Sequence, residues 1–453
     1  MKLDLKRFFQ ACSPAPLDLT NTDQKRYYIN FAEVRGENLI KQLQQEISYS
    51  EDQPSCQLFT GHIGCGKSTE LSQLKARLEE DSFHVVYFEA TEDLDLADVD
   101  ITDILLAIAR QVSASLEKSK IQLKPTGFKA FIQQTADFLQ TPIELTGEAE
   151  IAGAKITASS EKGVEFSLPL GLAKITAKTK DSQQTRSKLR QHLEPQTNKI
   201  LTLINEEIIK TAQQQLKQKG RKGLVVIVDN LDRIQYQKTS SSNKPLPEYL
   251  FVDRGEQLRK INCHLVYTLP LALNYSNERE ALKSRLGGGS SPIILPMVPV
   301  KTREGQDDLD GLELLRYLVV KRAFPDAKLE ECPELATELF DSMEALDKLC
   351  RVSGGHVRNL VGMLRACLKK DTPPISAKVL DKAIKQERDG LLKAIDEEEW
   401  ELLFKVEKEQ EVKGDIEYQK LLRSLFVFEY QDDDGSWYSL NPLLLESKKY
   451  KSR

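Results

Sequence analysis

Eight residues in the first quarter of the chain have the types and spacing of a phosphate-binding loop. They read Gly61-His62-Ile63-Gly64-Cys65-Gly66-Lys67-Ser68, the pattern G-x-x-x-x-G-K-S. Glycines let such a backbone turn so that its N–H groups converge on an anion, and the positive end of the following helix adds to the attraction. The Lys67 ammonium would reach the β- and γ-phosphates, and the Ser68 hydroxyl would bind Mg²⁺. Thr69 can face the nucleotide from the same turn, so the loop predicts a site for ATP and Mg²⁺.

The motif binds phosphate only when a strand precedes it and a helix follows. Residues 56–60 form a largely apolar run, and residues 68–80 have a helical pattern. A chance glycine-rich turn before a helix is the alternative. The agreement of strand, spacing, lysine and hydroxyl favours the phosphate-binding loop.

A second stretch places carboxylates at the end of a buried strand. Residues 224–228 are five consecutive apolar residues, which indicates a strand covered on both faces and hence a parallel sheet. Asp229 ends this strand, where α/β sheets collect their ligands, and Asp232 follows it. Downstream of a phosphate-binding loop, such an aspartate holds Mg²⁺ directly or through water. Asp229 is therefore the second predicted metal ligand, beside Ser68.

Length and composition indicate a large protein with more than one domain. The chain has 453 residues, whereas single cores rarely grow beyond about 250–300. Its net charge of −5 argues against a chain-wide basic surface for nucleic acid, although a local patch stays open. The seven cysteines contain no C-x-x-C pair, which suits a reducing compartment. No apolar stretch approaches the roughly 18 residues of a membrane span, and the N-terminus lacks a signal-peptide core. We therefore expect a cytoplasmic protein that is not bound to a membrane.

The pattern along the chain predicts four regions. Residues 1–36 are expected to be an N-terminal linker, and residues 37–300 to be the core that carries the loop. Residues 301–372 are predicted to be helical. Residues 376–453 contain two helical patterns and then a hairpin with a D-G turn at residues 432–435, which is the order of a winged helix.

The core should contain an inserted α/β module at about residues 124–220. Residues 148–158 and 164–178 have an alternating character and are separated by glycines, which suggests a β-hairpin or a small meander. A long polar helix should follow from residue 182 toward residue 216, interrupted at Pro195.

These residues together resemble the AAA+ and signal-transducing (STAND) branches of the P-loop ATPases over roughly residues 27–370. The resemblance implies an α/β P-loop NTPase fold, in which a parallel sheet of five strands carries a helical lid and a C-terminal winged-helix-like domain. Thr268 looks like the sensor that contacts the γ-phosphate. Arg285 is similar to the arginine finger that enters a neighbour's site, although it can equally be a surface charge at a helix end. Arg358 resembles the lid arginine of origin-recognition and related ATPases.

One position departs from this pattern. Many AAA+ members have a glutamate directly after the Mg²⁺ aspartate, where it polarises the attacking water, and here that position is Asn230. NACHT-type ATPases and the KAP group instead carry an acid three positions after the Mg²⁺ aspartate. Asp232 fits that pattern. The resemblance therefore implies an ATPase whose turnover is slow, as in a switch.

Three functions compete at this stage. The first is an ATP-dependent switch that forms a homo-oligomer when ATP binds and acts on a protein partner that the sequence does not name. The second is an initiator- or transposition-type ATPase whose winged helix binds DNA. Because residues 429–437 are acidic and would repel phosphates, the winged helix is expected to contact protein. A small-molecule kinase, the third function, is disfavoured by the lid and the sensor-like arginines.

Overall fold

A parallel sheet of five strands forms the centre of the protein. The computed structural model describes residues 2–50, 53–139, 168–169, 171–173, 183–238 and 244–452. The strand order is β2-β3-β4-β1-β5, with the bounds β1 Cys56–Gly61, β2 His84–Glu89, β3 Leu224–Asp229, β4 His264–Leu269 and β5 Ile293–Leu295. Since Glu89 pairs with Asp229 and Phe59 with Thr268, the carboxyl ends of the strands lie at one edge. The sheet confirms the α/β class of a P-loop NTPase.

Helices cover both faces of the sheet and form most of the regular structure in the remainder of the described chain. The α-helices include Leu5–Ala11, Thr22–Lys25, Leu39–Tyr49, Lys67–Glu80, Ala90–Asp93, Ile101–Lys118, Thr126–Phe138, Gln183–Leu193, Thr197–Leu203, Lys210–Gln218, Leu246–Glu248, Gly255–Arg259, Leu271–Asn274, Arg279–Arg285, Leu309–Ala323, Cys332–Leu339, Met343–Ser353, Val357–Leu368, Ala377–Leu392, Glu397–Glu409, Ile416–Arg423, Pro442–Leu445 and Lys448–Lys451. Short 3₁₀ turns occur at Glu194–Gln196, Leu231–Arg233 and Leu329–Glu331, and π-helical turns at Ile204–Ile209 and Tyr249–Asp253. The four helices within Leu309–Leu368 form the lid. No helix among these residues is both long enough and apolar enough to cross a membrane.

The regular structure that is described in the inserted region is entirely helical. The predicted strand at residues 148–158 lies outside the described residues. In the second predicted strand, residues 168–169 and 171–173 are helical, so the strand prediction is wrong there. Leu168 and Leu172 both pack into the same core as Ile204. The predicted interruption of the long helix at Pro195 is confirmed by a 3₁₀ turn.

The N-terminal segment packs as part of the protein, which corrects its prediction as a linker. Phe8 lies on the first helix and Cys12 caps its C-terminal end, and neither has exposed surface. They join the core of the lid together with Phe31. The Arg322 guanidinium donates a hydrogen bond to the Ala11 carbonyl over 3.0 Å.

The C-terminal region contains the predicted hairpin, with strands β6 (Val427–Asp432) and β7 (Gly435–Leu440) after three helices. Its position differs from that of a projecting wing. Phe428, Tyr430 and Trp437 are buried in the core that also contains β1, β3 and the P-loop helix Lys67–Glu80. Asp432, one of the acids expected to repel phosphates, is bound by Arg303. The acidic surface assigned to the wing is therefore limited to the turn.

Candidate functional site

The phosphate-binding loop connects β1 to the helix Lys67–Glu80, as its motif requires. Gly64 and Gly66 have φ values of +94° and +114°, a conformation that side chains disfavour. At Gly64 a Cβ would also lie 2.5 Å from Cε1 of His356 in the lid. The glycines therefore permit both the turn of the loop and the close approach of the lid.

The Lys67 ammonium is held by three acceptors. It donates to the carbonyls of Gly61 and His62, each over 2.8 Å, and lies 2.9 Å from Oδ2 of Asp232. Burial alone would lower the pKa of Lys67, but neighbouring groups, Asp232 foremost and Asp229 as well, together outweigh burial and raise it. A phosphate that approaches Lys67 must therefore replace one of these acceptors.

Ser68 and Asp229 lie together, as predicted for Mg²⁺ ligands. The Ser68 hydroxyl is hydrogen-bonded to the Asp229 carboxylate, whose pKa is raised by burial. Oδ2 of Asp229 accepts a hydrogen bond from the Tyr87 hydroxyl over 2.7 Å. No group of three or more His, Cys, Asp or Glu side chains among the described residues could hold a metal alone. Two hard oxygen donors and no closed cage fit Mg²⁺, which keeps waters and binds through phosphates as well. Bound there, Mg²⁺ would neutralise charge on the β- and γ-phosphates.

Asn230 and Thr268 shape the turn after Asp229. Asn230 has a φ of +63°, lines the cleft beside the loop and donates from Nδ2 to Glu89 over 2.7 Å. Thr268 is fully buried, and its hydroxyl accepts a hydrogen bond from the Leu231 N–H over 3.0 Å. Thr268 thus supports the turn that carries Asp232, and its sensor role stays a prediction.

The lid contacts the backbone of the loop directly. Nε2 of His356 donates to the Ile63 carbonyl over 2.7 Å, and the Arg358 N–H donates to the Gly64 carbonyl over 3.2 Å. The Arg358 side chain lines the cleft, where burial and Arg233 lower its pKa. Sequence and structure therefore bring Arg358 to the same site as the loop, and its catalytic role stays a prediction.

Arg285 lies outside this cleft. Its guanidinium is 3.6 Å from Asp253, and the side chain is 49% exposed. The structure thus brings Asp229, Asp232, Arg358 and the loop together and leaves Arg285 at the surface. A finger role for Arg285 can apply only to a neighbouring subunit and stays a prediction.

Two walls of the cleft were missed by the sequence analysis. Residues 13–17 cover the loop from the N-terminal side, where the Leu17 N–H donates to the Thr69 hydroxyl over 3.2 Å. Arg322 forms another part of the lining and is only 5% exposed. The stiff Ser-Pro-Ala-Pro start was a usable signal for the first wall, whereas nothing local distinguishes Arg322 from other helix arginines.

The charge of the cleft suits a polyanion. Four cationic side chains line it, with Asp232 as the one acid among its lining residues in the described chain; the cations are Lys67, Arg233, Arg322 and Arg358. Such an excess of positive charge raises the local concentration of an anionic ligand.

Residues 37–242 match the family model of the KAP family P-loop domain. This part of the chain is similar to the P-loop domain of the KAP family. The match includes the loop, Asp229 and Asp232, and ends before the lid. No curated protein matches the sequence significantly.

Solved structures resemble the whole chain at low identity. The ORC2 protein of Aeropyrum pernix in ADPNP–ADP complexes is 12% identical, with a TM-score of 0.38 over 90% of this chain and 89% of that one. The ORC1 protein of the same organism in complex with DNA is 12% identical, with a TM-score of 0.35 over 91% and 92%. A Walker-type ATPase of Pyrococcus abyssi is 10% identical, with a TM-score of 0.40 over 96% and 98%. The similarity to the KAP family P-loop domain comes from the family match, and these structures add no argument to it.

Proposed function

We propose that the protein binds ATP with Mg²⁺, hydrolyses it slowly and acts as a nucleotide-dependent switch. The observation that carries the proposal is the buried ion pair between Lys67 and Asp232 within a phosphate-binding loop. A nucleotide whose phosphates bind Lys67 would separate this pair. ATP binding would therefore release the Asp232 carboxylate from its ion pair.

In the proposed reaction, Lys67 moves from Asp232 to the γ-phosphate, and Asp232 orients a water molecule. The water oxygen bonds to the γ-phosphorus while the bond to the β–γ bridging oxygen breaks. The water's proton passes to Asp232 and then to phosphate, which leaves ADP and inorganic phosphate. Asn230 cannot accept this proton, and the ion pair between Asp232 and Lys67 must break first. Turnover should therefore be slow.

The contacts of the lid support the switch. His356 and Arg358 of the lid donate hydrogen bonds directly to the carbonyls of Ile63 and Gly64. A change in the conformation of the loop would therefore act directly on the lid. We further propose that the ATP-bound protein self-associates, with Arg285 acting on the neighbour's site. Its exposed position at the end of the helix Arg279–Arg285 supports this role. Seven free cysteines support a reducing location such as the cytoplasm.

DNA binding is not part of the proposal. The hairpin that a DNA-binding wing would present has its aromatic side chains buried against the P-loop domain. The protein partner of the switch stays unnamed.

Thermal unfolding with and without ATP–Mg²⁺, followed by a phosphate-release assay, tests the proposal. A ligand at 100 times its Kd stabilises the native state by about 2.7 kcal/mol, so ATP–Mg²⁺ should raise Tm. The kcat of the wild-type protein should be below about 1 s⁻¹, which is the low end of typical values. Asp232→Asn should bind ATP and lose turnover, whereas Asp434→Asn, at the exposed hairpin turn, should behave like the wild type. If the Tm of the wild-type protein is the same with and without ATP–Mg²⁺, the proposal is refuted.

A further inference from the structure

A second cavity adjoins the nucleotide cleft at the carboxyl ends of β1, β3 and β4. Its walls are residues 61–63, 232–236 and 270–272, and the C-terminal helix Ile416–Arg423 and the residues that follow close it. Ile63, Asp232 and Arg233 line both spaces, so they form a common wall. The cavity is therefore next to the place where the γ-phosphate of a bound nucleotide would lie.

Two of the three cationic side chains that line the cavity form no salt bridge with a carboxylate among the described residues. Arg233 and Arg423 both line it, and within the described part of the chain neither forms an ion pair. The Arg423 guanidinium instead lies over the Tyr236 ring, 4.1 Å from its centroid. Lys420 also lines the cavity but is neutralised by Glu399 at 2.8 Å. The two arginines thus supply the charge that would attract an anion.

Two further groups in the walls have unused hydrogen-bonding capacity. Oδ1 of Asp232 and the hydroxyl of Tyr236 are shielded from solvent, and neither has a hydrogen-bond partner among the described residues. Buried polar atoms without a partner are rare in folded proteins and need an explanation. Here one is an acceptor and the other can donate.

A monohydrogen phosphate ion matches all of these groups. Its P–OH can donate to Asp232, and its other oxygens can accept from the Tyr236 hydroxyl and from the two guanidinium groups. We propose that this cavity binds inorganic phosphate and retains the phosphate that hydrolysis releases before it leaves the protein. The inference deepens the proposed function, on which its second half rests.

Binding is tested by equilibrium dialysis of radiolabelled inorganic phosphate. The protein is first saturated with a non-hydrolysable ATP analogue, so that the phosphate-binding loop is filled and further binding reports the cavity. We expect one phosphate per chain, and at least tenfold weaker binding in Arg423→Ala and in the milder Tyr236→Phe. Lys408→Ala removes an exposed cation from the same domain and should bind like the wild type. Absence of bound phosphate, or equal binding in all four proteins, overturns the proposal.

Retention is tested in a single turnover of ATP, in which cleavage and the appearance of free phosphate are timed separately. The interval between them should shorten at least fivefold in Arg423→Ala and keep its wild-type length in Lys408→Ala. Cavity binding with an unchanged interval would mean that the phosphate comes from solution, and would overturn the retention step. Dialysis needs no hydrolysis, and both substitutions lie outside the loop. A protein that fails as an ATPase therefore still gives a decisive binding result.

Discussion

The Lys67 ammonium lies 2.9 Å from Oδ2 of Asp232, and each of the two side chains is only 5% exposed. The lysine that should neutralise a phosphate is thus paired with the acid that should orient water. We expect the same contact to affect both the stability of the fold and the proposed chemistry. Its two roles can be separated by measuring stability and turnover in the same variants.

Removal of Lys67 should destabilise the protein as well as abolish nucleotide binding. Lys67→Ala leaves a buried carboxylate without its partner, and breaking a buried pair costs about 3–5 kcal/mol. The double variant Lys67→Ala with Asp232→Ala should lose less stability than the two single changes added together. Denaturant unfolding measures the free energies; strict additivity would mean that the pair contributes no coupling.

Asp229 should control the dependence of nucleotide binding on Mg²⁺. Asp229→Asn should remove most of the gain in ATP affinity that Mg²⁺ gives over EDTA, since the carboxylate would be the charged protein ligand of the metal. Tyr87→Phe removes only the hydroxyl that orients the carboxylate, and we expect a loss of about tenfold, the lower end for such supporting groups. Titration calorimetry with and without Mg²⁺ measures both. A Mg²⁺ gain that survives Asp229→Asn would exclude this ligand.

Substitutions of Thr268 can distinguish a structural role in the turn after Asp229 from a role as a sensor of the nucleotide. Thr268→Val leaves the buried Leu231 N–H without an acceptor, which costs about 1–3 kcal/mol. Thr268→Ser keeps the hydroxyl and should retain both stability and turnover. If Thr268→Val is as stable as the wild type yet has lost turnover, the hydroxyl acts on the nucleotide and not on the turn.

Stability should depend on pH through Glu429. Burial raises the pKa of Glu429 to about 7, whereas an unfolded glutamate titrates near 4.3. Between these values the folded protein holds a proton that the unfolded chain has released, so this group's contribution to stability falls as pH rises. The stability advantage of Glu429→Gln over the wild type should therefore grow by about 3 kcal/mol from pH 4.5 to 7, at about 1.4 kcal/mol per pH unit. Denaturant unfolding across this range measures it, and a constant difference would contradict the assignment.

Arg285 should act between subunits if it acts at all. Mixing Lys67→Ala, which keeps the arginine, with Arg285→Ala, which keeps the loop, should restore turnover in a shared site. Arginine fingers in related chemistry give roughly 10³–10⁵ in rate. Sedimentation with ATP–Mg²⁺ provides the control for assembly. A monomer without recovered turnover would leave Arg285 as a surface charge.

The sequence was informative where a signal is local. The loop, the buried strand before Asp229 and the hairpin each consist of a few adjacent residues whose types determine the backbone, so they could be predicted. The contact between His356 and Ile63 joins residues 293 positions apart, and the one between Glu429 and His62 spans 367. Periodicity tells which face of an element is buried but not which element covers it. For that reason Arg322, residues 13–17 and the position of the hairpin were not foreseen.

The hairpin is bonded on two sides, since the Glu429 N–H donates to Nε2 of His62 and the Glu429 carbonyl accepts from the Met297 N–H. The last eighty or so residues consequently complete the wall behind the nucleotide loop. A recombination event that exchanged this terminus for another domain would strip an aromatic cover from the loop. We therefore expect the amino-acid sequences of the C-terminal region and of the loop to change together during evolution, or not to change at all.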